Sequence, residues 1–367
     1  MKIVLFGAEF TMTGAGLMLC RWAEHLAAAG HAVSILLKDQ TPGPLRERFG
    51  AAGISVVEGN RASIDSGTLV ICNTIDMAPQ IIQSAPYTRT IWWIHEAEYG
   101  VRLLGDNPQL ARAFAAADAV IFPARHLIDS TYRDFLSGLP AEKFHVAPCG
   151  IDMPAEGRRR QAASAGPIRV LSVGSIYPRK RHGDLIKAVG MLDDLNLECV
   201  LAGRLYDLDD ESKRLIHNRP DRFRLLGELP NDQILALIDS APIFALPSED
   251  EAMPLVTFEA GARGRSLLLS DLGCYEGLWR HGHNCLMHPV GDVGLLADRL
   301  RILATDPGLR DRLGAEALRT TLPYTIDHML SQLDQVIATV CPGGDLPGRR
   351  TGPDLATISR RLAWTLR

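Results

Sequence analysis

The chain has 367 residues, of which 46% are hydrophobic and 22% charged, a balance that is ordinary for a globular protein. Its formal net charge of -4 provides no basic field for nucleic acid, so we expect no nucleic-acid partner. Seven cysteines are dispersed without a C-x-x-C pair, which favours buried thiols in a reducing compartment over a disulfide scaffold or a zinc site.

The first 150 residues alternate patterns that are typical of strands and helices. Short apolar runs predict strands at Lys2–Phe6, Ala32–Leu37, Ile54–Val57, Leu69–Cys72, Thr90–Ile94 and Ala119–Phe122. Apolar residues at helical spacing predict helices at Leu17–Ala29 and Leu45–Ala52, and a glycine follows each. Strand–helix units with short connections indicate a parallel sheet that helices cover on both faces.

The periodic pattern stops at residues 153–167, and we interpret this stretch, which contains three consecutive arginines, as a solvated linker. The alternation then restarts. It predicts strands at Ile168–Val173, Glu198–Ala202, Phe223–Leu226, Ile243–Leu246, Ser266–Leu269 and Cys285–Met287. It predicts helices from after Lys180 through Leu192, and at Asp232–Asp239, Pro254–Gly264, Val293–Thr305, Pro307–Leu318 and Thr325–Val340.

These two series predict an α/β protein with two Rossmann-like parallel-sheet domains, residues 1–155 and 165–340, that face a central cleft. Ligands of such sheets bind outside the carboxyl ends of the strands. The tail at 342–367 ends in an amphipathic stretch that we expect to complete the first domain, and contact with a membrane surface is the alternative. No run approaches the roughly 18 apolar residues of a membrane-spanning helix, so we expect a cytoplasmic protein, with peripheral membrane contact left open.

Two glutamates flank a predicted helix start. Glu251 and Glu259 are separated by seven residues, and Pro254 lies between them at a position where the first helical turn tolerates proline. Glu251 then lies in the loop and Glu259 about one turn inside the helix. Two such carboxylates suit hydroxyls at the two ends of a polar ligand, and the free N–H groups between them suit a phosphate. An acidic helix start that only balances the helix dipole is the alternative.

A second candidate phosphate site follows the strand that begins the second series. Gly174 at the strand end allows a ligand to approach the backbone, and Arg179 and Lys180 can clamp a diphosphate. An exposed basic loop before a helix is the alternative.

The first domain contains two further candidate binding elements. Gly14 and Gly16 form a glycine-rich loop that lacks the third glycine of a dinucleotide fingerprint. His95 and Glu96 follow a predicted strand, and this strand-end position favours a functional role over a structural one. The D-x-D pattern at Asp207 has no second carboxylate cluster nearby in the sequence, so we interpret it as a solvated turn and expect no metal site.

Four motifs occur in the order V-G-S-x-x-P-R-K, A-G-R, L-G-E-L and P-S-x-x-E-A-x-P-L-x-x-x-E-A-x-A-x-G. In this order they resemble the retaining glycosyltransferases of family 4, which have the GT-B fold. The resemblance runs from Met1 to about Val340 and is strongest between Ile168 and Asp292. It implies transfer of a hexose from a UDP or GDP sugar to a saccharide or lipid-linked acceptor, in polysaccharide, lipopolysaccharide or glycolipid assembly, with no metal or other cofactor.

The resemblance also assigns roles to residues. The implied catalytic residues are Glu251, which contacts the hexose near its anomeric carbon, and His95. The implied donor-binding residues are Gly14, Gly16, Gly174, Arg179, Lys180, Leu229, Met253, Leu255, Val256 and Glu259. Glu259 is expected at the ribose hydroxyls and Leu229 near the nucleobase, and Glu96 and Tyr99 are assigned to the acceptor. The sequence departs from the family at Ser175, where an arginine is common, so Arg179 is expected to share that role.

Two other functions stay open at this point. A nucleotide-sugar epimerase has the same fold and would turn over its donor without an acceptor. A non-catalytic nucleotide-sugar binding protein would tolerate the loss of Glu251.

Overall fold

The computed structural model describes residues 1–344 apart from residues 12, 40, 42, 58–63, 66 and 155–165. The chain divides into two compact units, one of Met1–Gly150 with the segment from Ile326 onward, and one of Ile151–Thr325. Most of the predicted linker and nearly all of the predicted C-terminal completion at 342–367 lie outside the described residues.

The first unit is built on a parallel sheet. Its strands are β1 Lys2–Gly7, β2 Ala32–Leu37, β3 Ser55–Val56, β4 Thr68–Asn73, β5 Arg89–Trp93, β6 Ala119–Phe122 and β7 Phe144–Val146. They are ordered β3-β2-β1-β4-β5-β6-β7, and neighbours pair in parallel. The helices before residue 150 are α1 Gly14–Ala28, α2 Pro44–Ala51, α3 Ala78–Ser84, α4 Glu98–Asp106, α5 Arg112–Ala116 and α6 Arg133–Leu136.

The second unit repeats this plan. Its strands are β8 Ile168–Val173, β9 Leu197–Ala202, β10 Phe223–Leu225, β11 Ile243–Leu246, β12 Ser266–Ser270 and β13 Leu286–His288, in the parallel order β10-β9-β8-β11-β12-β13. Its helices are α7 His182–Gly190, α8 Asp210–Asn218, α9 Asn231–Ser240, α10 Leu255–Ala262, α11 Val293–Thr305 and α12 Pro307–Thr321.

Alternation along the strands places helices on both faces of the second sheet. In β8, Val170 packs into a cluster with residues of α7 and α11, whereas the next residue, Leu171, packs into a cluster with residues of α9 and α10. All six residues of β9 are buried. The strands therefore appear in the sequence as continuous apolar runs, because both faces of a parallel sheet are covered. The predicted α/β class with two Rossmann-like parallel sheets is confirmed.

Helix α8 lies where the sequence predicted a solvated turn. Asp209, from the D-x-D pattern, is the N-cap of this helix, and its carboxylate accepts a hydrogen bond from the Ser212 backbone N–H at 3.1 Å. Asp209 also pairs with Lys187 at 3.2 Å. The polar pattern therefore begins a helix, because a carboxylate at the N-cap satisfies an otherwise unpaired helical N–H.

Helix α13, Ile326–Val340, belongs to the first unit, whereas the sequence placed its residues in the second domain. Two contacts fix it there: Asp334 pairs with His25 of α1 at 2.8 Å, and the Gly150 backbone N–H lies 3.3 Å from the Met329 sulfur. The buried side of α13 packs near β5. Its own apolar periodicity predicted a helix, but the partner of its buried face is set by the fold.

The seven cysteines are buried free thiols, as the sequence predicts. Among the described residues, no helix is long and apolar enough to cross a membrane.

Candidate functional site

The carboxyl ends of β8 and β9 meet through glycines. Gly174 has a φ of +144° and Gly203 a φ of +147°, a region that glycine adopts and other residues avoid. A Cβ at Gly203 would lie 2.1 Å from the Gly174 carbonyl oxygen, so the two strand ends touch backbone to backbone. Beside Gly174 the space is open, since the nearest described atom to a Cβ built there is Lys180 Cε at 3.9 Å.

Lys180 forms an ion pair with Glu251. Its Nζ lies 2.5 Å from Glu251 Oε1, and the two side chains are 14% and 7% exposed. The Ser248 hydroxyl, itself buried, donates to the same oxygen at 2.7 Å. The turn at Pro178–Lys180 and the loop before α10 are joined further by a backbone bond from Glu249 N–H to the Arg179 carbonyl at 3.0 Å. The structure thus brings together a cation and a carboxylate that lie 71 residues apart in sequence.

Arg179 is engaged differently from Lys180. Its guanidinium donates to the Asp250 backbone carbonyl, lies 3.4 Å from the Asp250 carboxylate, and donates through Nε to the Tyr177 hydroxyl at 3.1 Å. These contacts hold the basic turn against the loop that carries Glu251. Of the two residues predicted to clamp a diphosphate, Lys180 lies beside the open glycine, whereas Arg179 of the same turn is engaged by the loop that carries Glu251.

Helix α10 begins without a side-chain cap. Pro254 is its N-cap, no side chain caps it, and its first turn has no acidic residue. The backbone N–H groups at the helix start are therefore placed to meet an anion. Glu259 lies one turn inside α10, and burial, with a contribution from Asp152, raises the pKa of its carboxyl above the ordinary value, against the opposing effect of Arg263.

The remaining predicted donor residues of this unit are partly buried apolar side chains. Leu229 and Val256 pack against the cluster formed by β8, α9 and α10, and Met253 and Leu255 pack against a smaller cluster that contains Phe258. Their side chains support the loop and helix.

The glycine-rich loop of the first unit is a helix start. Thr13 is the N-cap of α1, and its hydroxyl accepts from the Gly16 backbone N–H at 3.3 Å, while Gly14 is the first helical residue. A Cβ at Gly16 would lie 2.8 Å from the Thr11 carbonyl oxygen, so the loop needs glycine there. Thr13 and Gly16 line a small cavity together with Asn73 and Thr74 at the end of β4.

His95 and Glu96 follow β5 at the same edge of the sheet. His95 Nε2 lies 2.8 Å from Asn73 Oδ1, and burial lowers the pKa of the imidazole to about 3. Glu96 accepts from the Ile75 and His95 backbone N–H groups at 2.9 and 3.1 Å. Burial nevertheless raises the pKa of Glu96 to about 7.

Tyr99 lies on α4 and is 45% exposed, and its hydroxyl donates to Asp76 at 3.4 Å. The predicted acceptor residues thus differ in character, since Glu96 is tied to backbone groups and Tyr99 faces solvent.

Three residues of these sites were not predicted from the sequence as functional candidates. Ser248 was visible within the P-S-x-x-E motif, but its bond to Glu251 was not. Asp250 and Asn73 carried no signal, because each acts through a partner distant in sequence. Among the described residues, no group of three or more His, Cys, Asp or Glu side chains could hold a metal ion.

Models of known protein families match segments in both halves of the chain. The family model "Glycosyl-transferase family 4" matches residues 1–103, and "Glycosyl transferases group 1" matches residues 155–320. The chain is 30% identical over 170 residues to an amylovoran biosynthesis glycosyltransferase of Erwinia amylovora (44% of this chain, 42% of that protein). It is 31% identical over 175 residues to a phosphatidyl-myo-inositol mannosyltransferase of Mycobacterium leprae (46% of this chain, 45% of that protein).

These matches span less than half the length of the two relatives. Among solved structures, HepE of Anabaena in complex with UDP-glucose superposes with a TM-score of 0.74 at 17% identity, over 92% of this chain and 100% of that one. That likeness concerns the fold. The two family models, the glycosyltransferase relatives and the two parallel α/β units agree, and the chain belongs to the glycosyltransferases of the family 4 type, with the GT-B fold.

Proposed function

We propose that this protein transfers a hexose from a UDP or GDP sugar to a saccharide or lipid-linked acceptor, with retention at the anomeric carbon and without a metal. The observation that carries the proposal is the Lys180–Glu251 pair beside the open backbone of Gly174, which the loop before α10 connects to an uncapped helix start. A cation, a carboxylate and free N–H groups are the three elements that a sugar diphosphate requires.

Charge development gives each element a role. Breaking the bond between the anomeric carbon and the phosphate oxygen leaves positive charge on the sugar and additional negative charge on the departing nucleoside diphosphate. Lys180 and the N–H groups at the start of α10 stabilise that diphosphate. Glu251, released from Lys180 when the phosphate takes its place, accepts hydrogen bonds from hexose hydroxyls near the reacting carbon.

The acceptor oxygen then bonds to the anomeric carbon on the face that the leaving group vacates. Its proton passes to a phosphate oxygen of the leaving group, so no protein base is required for this step. Glu259 is assigned to the ribose hydroxyls and Arg179 to holding the basic turn in place.

Donor identity follows by analogy. The solved structure of HepE is a complex with UDP-glucose. The two relatives reported above are named as an amylovoran biosynthesis glycosyltransferase and a phosphatidyl-myo-inositol mannosyltransferase. We therefore infer a role in polysaccharide, lipopolysaccharide or glycolipid assembly, at the cytoplasmic side and with peripheral membrane contact when the acceptor is lipid-linked.

A thermal-shift screen with UDP, GDP, UDP-glucose and GDP-mannose tests donor binding. A ligand at about 100 times its Kd stabilises the native state by about 2.7 kcal/mol, which raises Tm. The donor so identified is then used to measure release of nucleoside diphosphate with soluble and lipid-linked acceptors.

In that assay, Glu251→Ala is expected to lower transfer by about 100-fold or more while nucleotide affinity changes little, because Glu251 contacts the sugar. Lys180→Met is expected to weaken nucleoside-diphosphate binding measured by calorimetry. Glu276→Ala, an exposed carboxylate in the same unit, is the matched control and should behave as wild type. Unchanged transfer by Glu251→Ala would refute the assignment of Glu251 as a catalytic residue.

The same assay tests whether transfer is independent of metal and whether it retains the anomeric configuration. We expect full activity in EDTA, and a product whose anomeric configuration, read from its proton coupling constant, equals that of the donor. Conversion of the donor sugar without any acceptor would instead indicate an epimerase.

A further inference from the structure

Asn73 links the glycine-rich loop and His95, two elements of the first unit to which the family resemblance assigns roles in donor binding and catalysis. It is the last residue of β4 and is 1% exposed. Its Nδ2 donates to the Ala15 carbonyl in the glycine-rich loop at 3.1 Å, and its Oδ1 lies 2.8 Å from His95 Nε2. A backbone carbonyl can only accept, so the contact with Ala15 decides which end of the amide faces His95.

This orientation also decides which nitrogen of His95 carries its proton. The amide oxygen of Asn73 is an acceptor, so Nε2 must be the protonated nitrogen. Burial keeps the imidazole neutral by lowering its pKa to about 3, and Nδ1 is therefore unprotonated and can accept a hydrogen bond. Cys149 Sγ lies 3.9 Å from Nδ1, and burial raises the pKa of this thiol to about 12, so its S–H is available to donate.

The hydrogen bonds form a directed chain. It runs from the Cys149 thiol to His95 Nδ1, from Nε2–H to Asn73, and from the Asn73 amide to the Ala15 carbonyl. His95 and Asn73 each use one donor and one acceptor, so turning the amide of Asn73 breaks two bonds at once. The Trp93 ring, with its centroid 4.4 Å from that of His95, limits rotation of the imidazole.

The backbone after Asn73 is held in an unusual conformation. Thr74 has φ +83° and ψ 156°, a region that is essentially restricted to glycine. Its N–H donates to the Trp93 carbonyl at 2.8 Å, and its carbonyl accepts from Trp92 Nε1 at 2.8 Å. These bonds pin the end of β4 to β5, and so they set the position from which Asn73 reaches both partners.

We propose that Asn73 is a positioning residue that holds His95 as the Nε2–H tautomer and couples its orientation to the glycine-rich loop. Movement of that loop away from Asn73 frees the amide to turn and releases the Nε2–H of His95 toward a substrate hydroxyl. The importance of this coupling for transfer rests on the proposed function, whereas the hydrogen-bond chain does not.

The first test needs no variant and no substrate. The full-length chain is labelled with 15N-histidine, and the signals of His95 are assigned by comparison with His95→Gln. The long-range 1H–15N spectrum should show His95 with Nε2 protonated and Nδ1 unprotonated from pH 5 to 8. The Nδ1–H tautomer, or titration near the ordinary histidine pKa of about 6.5, overturns the proposal. Because donor is absent, this outcome is independent of whether the chain is a transferase.

The second test uses Asn73→Asp, with Cys149→Ser as its matched control. The aspartate loses the donor to Ala15 and places a carboxylate at Nε2, so we expect the pKa of His95 to rise by about two units or more. Amides of the glycine-rich loop should gain fast motion in 15N relaxation, and kcat of the transferase should fall by about tenfold. Cys149→Ser keeps a donor to Nδ1 and should keep the tautomer and the rigid loop. An unchanged histidine pKa and loop relaxation in Asn73→Asp would refute the coupling.

Discussion

Glu96 shows how the surroundings of one residue set both its chemistry and its contribution to stability. Burial raises the pKa of its carboxyl to about 7 from an ordinary 4.5, and Asp76 adds to the rise, while the backbone N–H groups of Ile75 and His95 oppose it. Between pH 4.5 and 7 the native state holds a proton that the unfolded chain has released. The stability from this group is therefore complete below pH 4.5 and is lost as the pH rises through 7.

Replacing Glu96 by glutamine removes this dependence, because the amide stays neutral and its oxygen can still accept the two backbone bonds. We expect Glu96→Gln to equal wild type near pH 4.5 and to exceed it at pH 8 by about 1–3 kcal/mol in the free energy of unfolding. Urea denaturation at the two pH values measures this, with the exposed Glu98→Gln as the charge control. Parallel stability curves for Glu96→Gln and wild type would show that the carboxyl of Glu96 ionises as in the unfolded chain.

At the scale of elements, the ends of β8 and β9 combine close packing at Gly203 with open space beside Gly174. Gly203 permits the backbone contact with Gly174, and Gly174 leaves open the space next to Lys180. The same strand ends carry the motifs V-G-S and A-G-R. The two glycines thus differ: Gly203 allows two strands to approach closely, whereas Gly174 leaves the open space that we propose for the ligand.

Gly203→Ala is expected to destabilise the second unit strongly, because the added Cβ would overlap the Gly174 carbonyl, in addition to the strain of a positive φ. Gly277→Ala provides the comparison, since Gly277 also has a positive φ but no described atom within 4 Å of a built Cβ. We expect about 1–2 kcal/mol for Gly277→Ala, from the backbone alone, and a clearly larger loss for Gly203→Ala. Equal losses in chemical denaturation would mean that the strand ends separate at little cost.

At the scale of the whole molecule, chain order and unit membership differ. The chain leaves the first unit at Gly150, forms the second unit, and returns at Ile326 to add α13 to the first. Leu333 of α13 and Leu300 of α11 are both fully buried helical leucines, but they belong to different units.

Leu333→Ala should therefore weaken the first unit by about 2–5 kcal/mol and accelerate amide hydrogen exchange in β4 and β5. Leu300→Ala should instead weaken the second unit and accelerate amide hydrogen exchange in β8 and β9. Hydrogen-exchange mass spectrometry on the intact chain distinguishes the two patterns. Faster exchange in the second unit after Leu333→Ala would show that α13 packs in the second domain, as its position in the sequence suggested.

The amino-acid sequence alone predicts the α/β class, both parallel sheets and the motif residues Gly174, Lys180, Glu251 and Glu259. It could do so because a doubly covered strand must be apolar throughout, and because strand-end glycines and a proline before a helix have local conformational causes. Only the three-dimensional contacts establish which unit α13 joins and that Arg179 holds the basic turn against the loop before α10. They also establish that Lys180 pairs with Glu251, and that Asn73 connects Ala15 to His95. These contacts join residues far apart in the chain, and the periodicity of a segment reports that a face is buried without reporting what covers it.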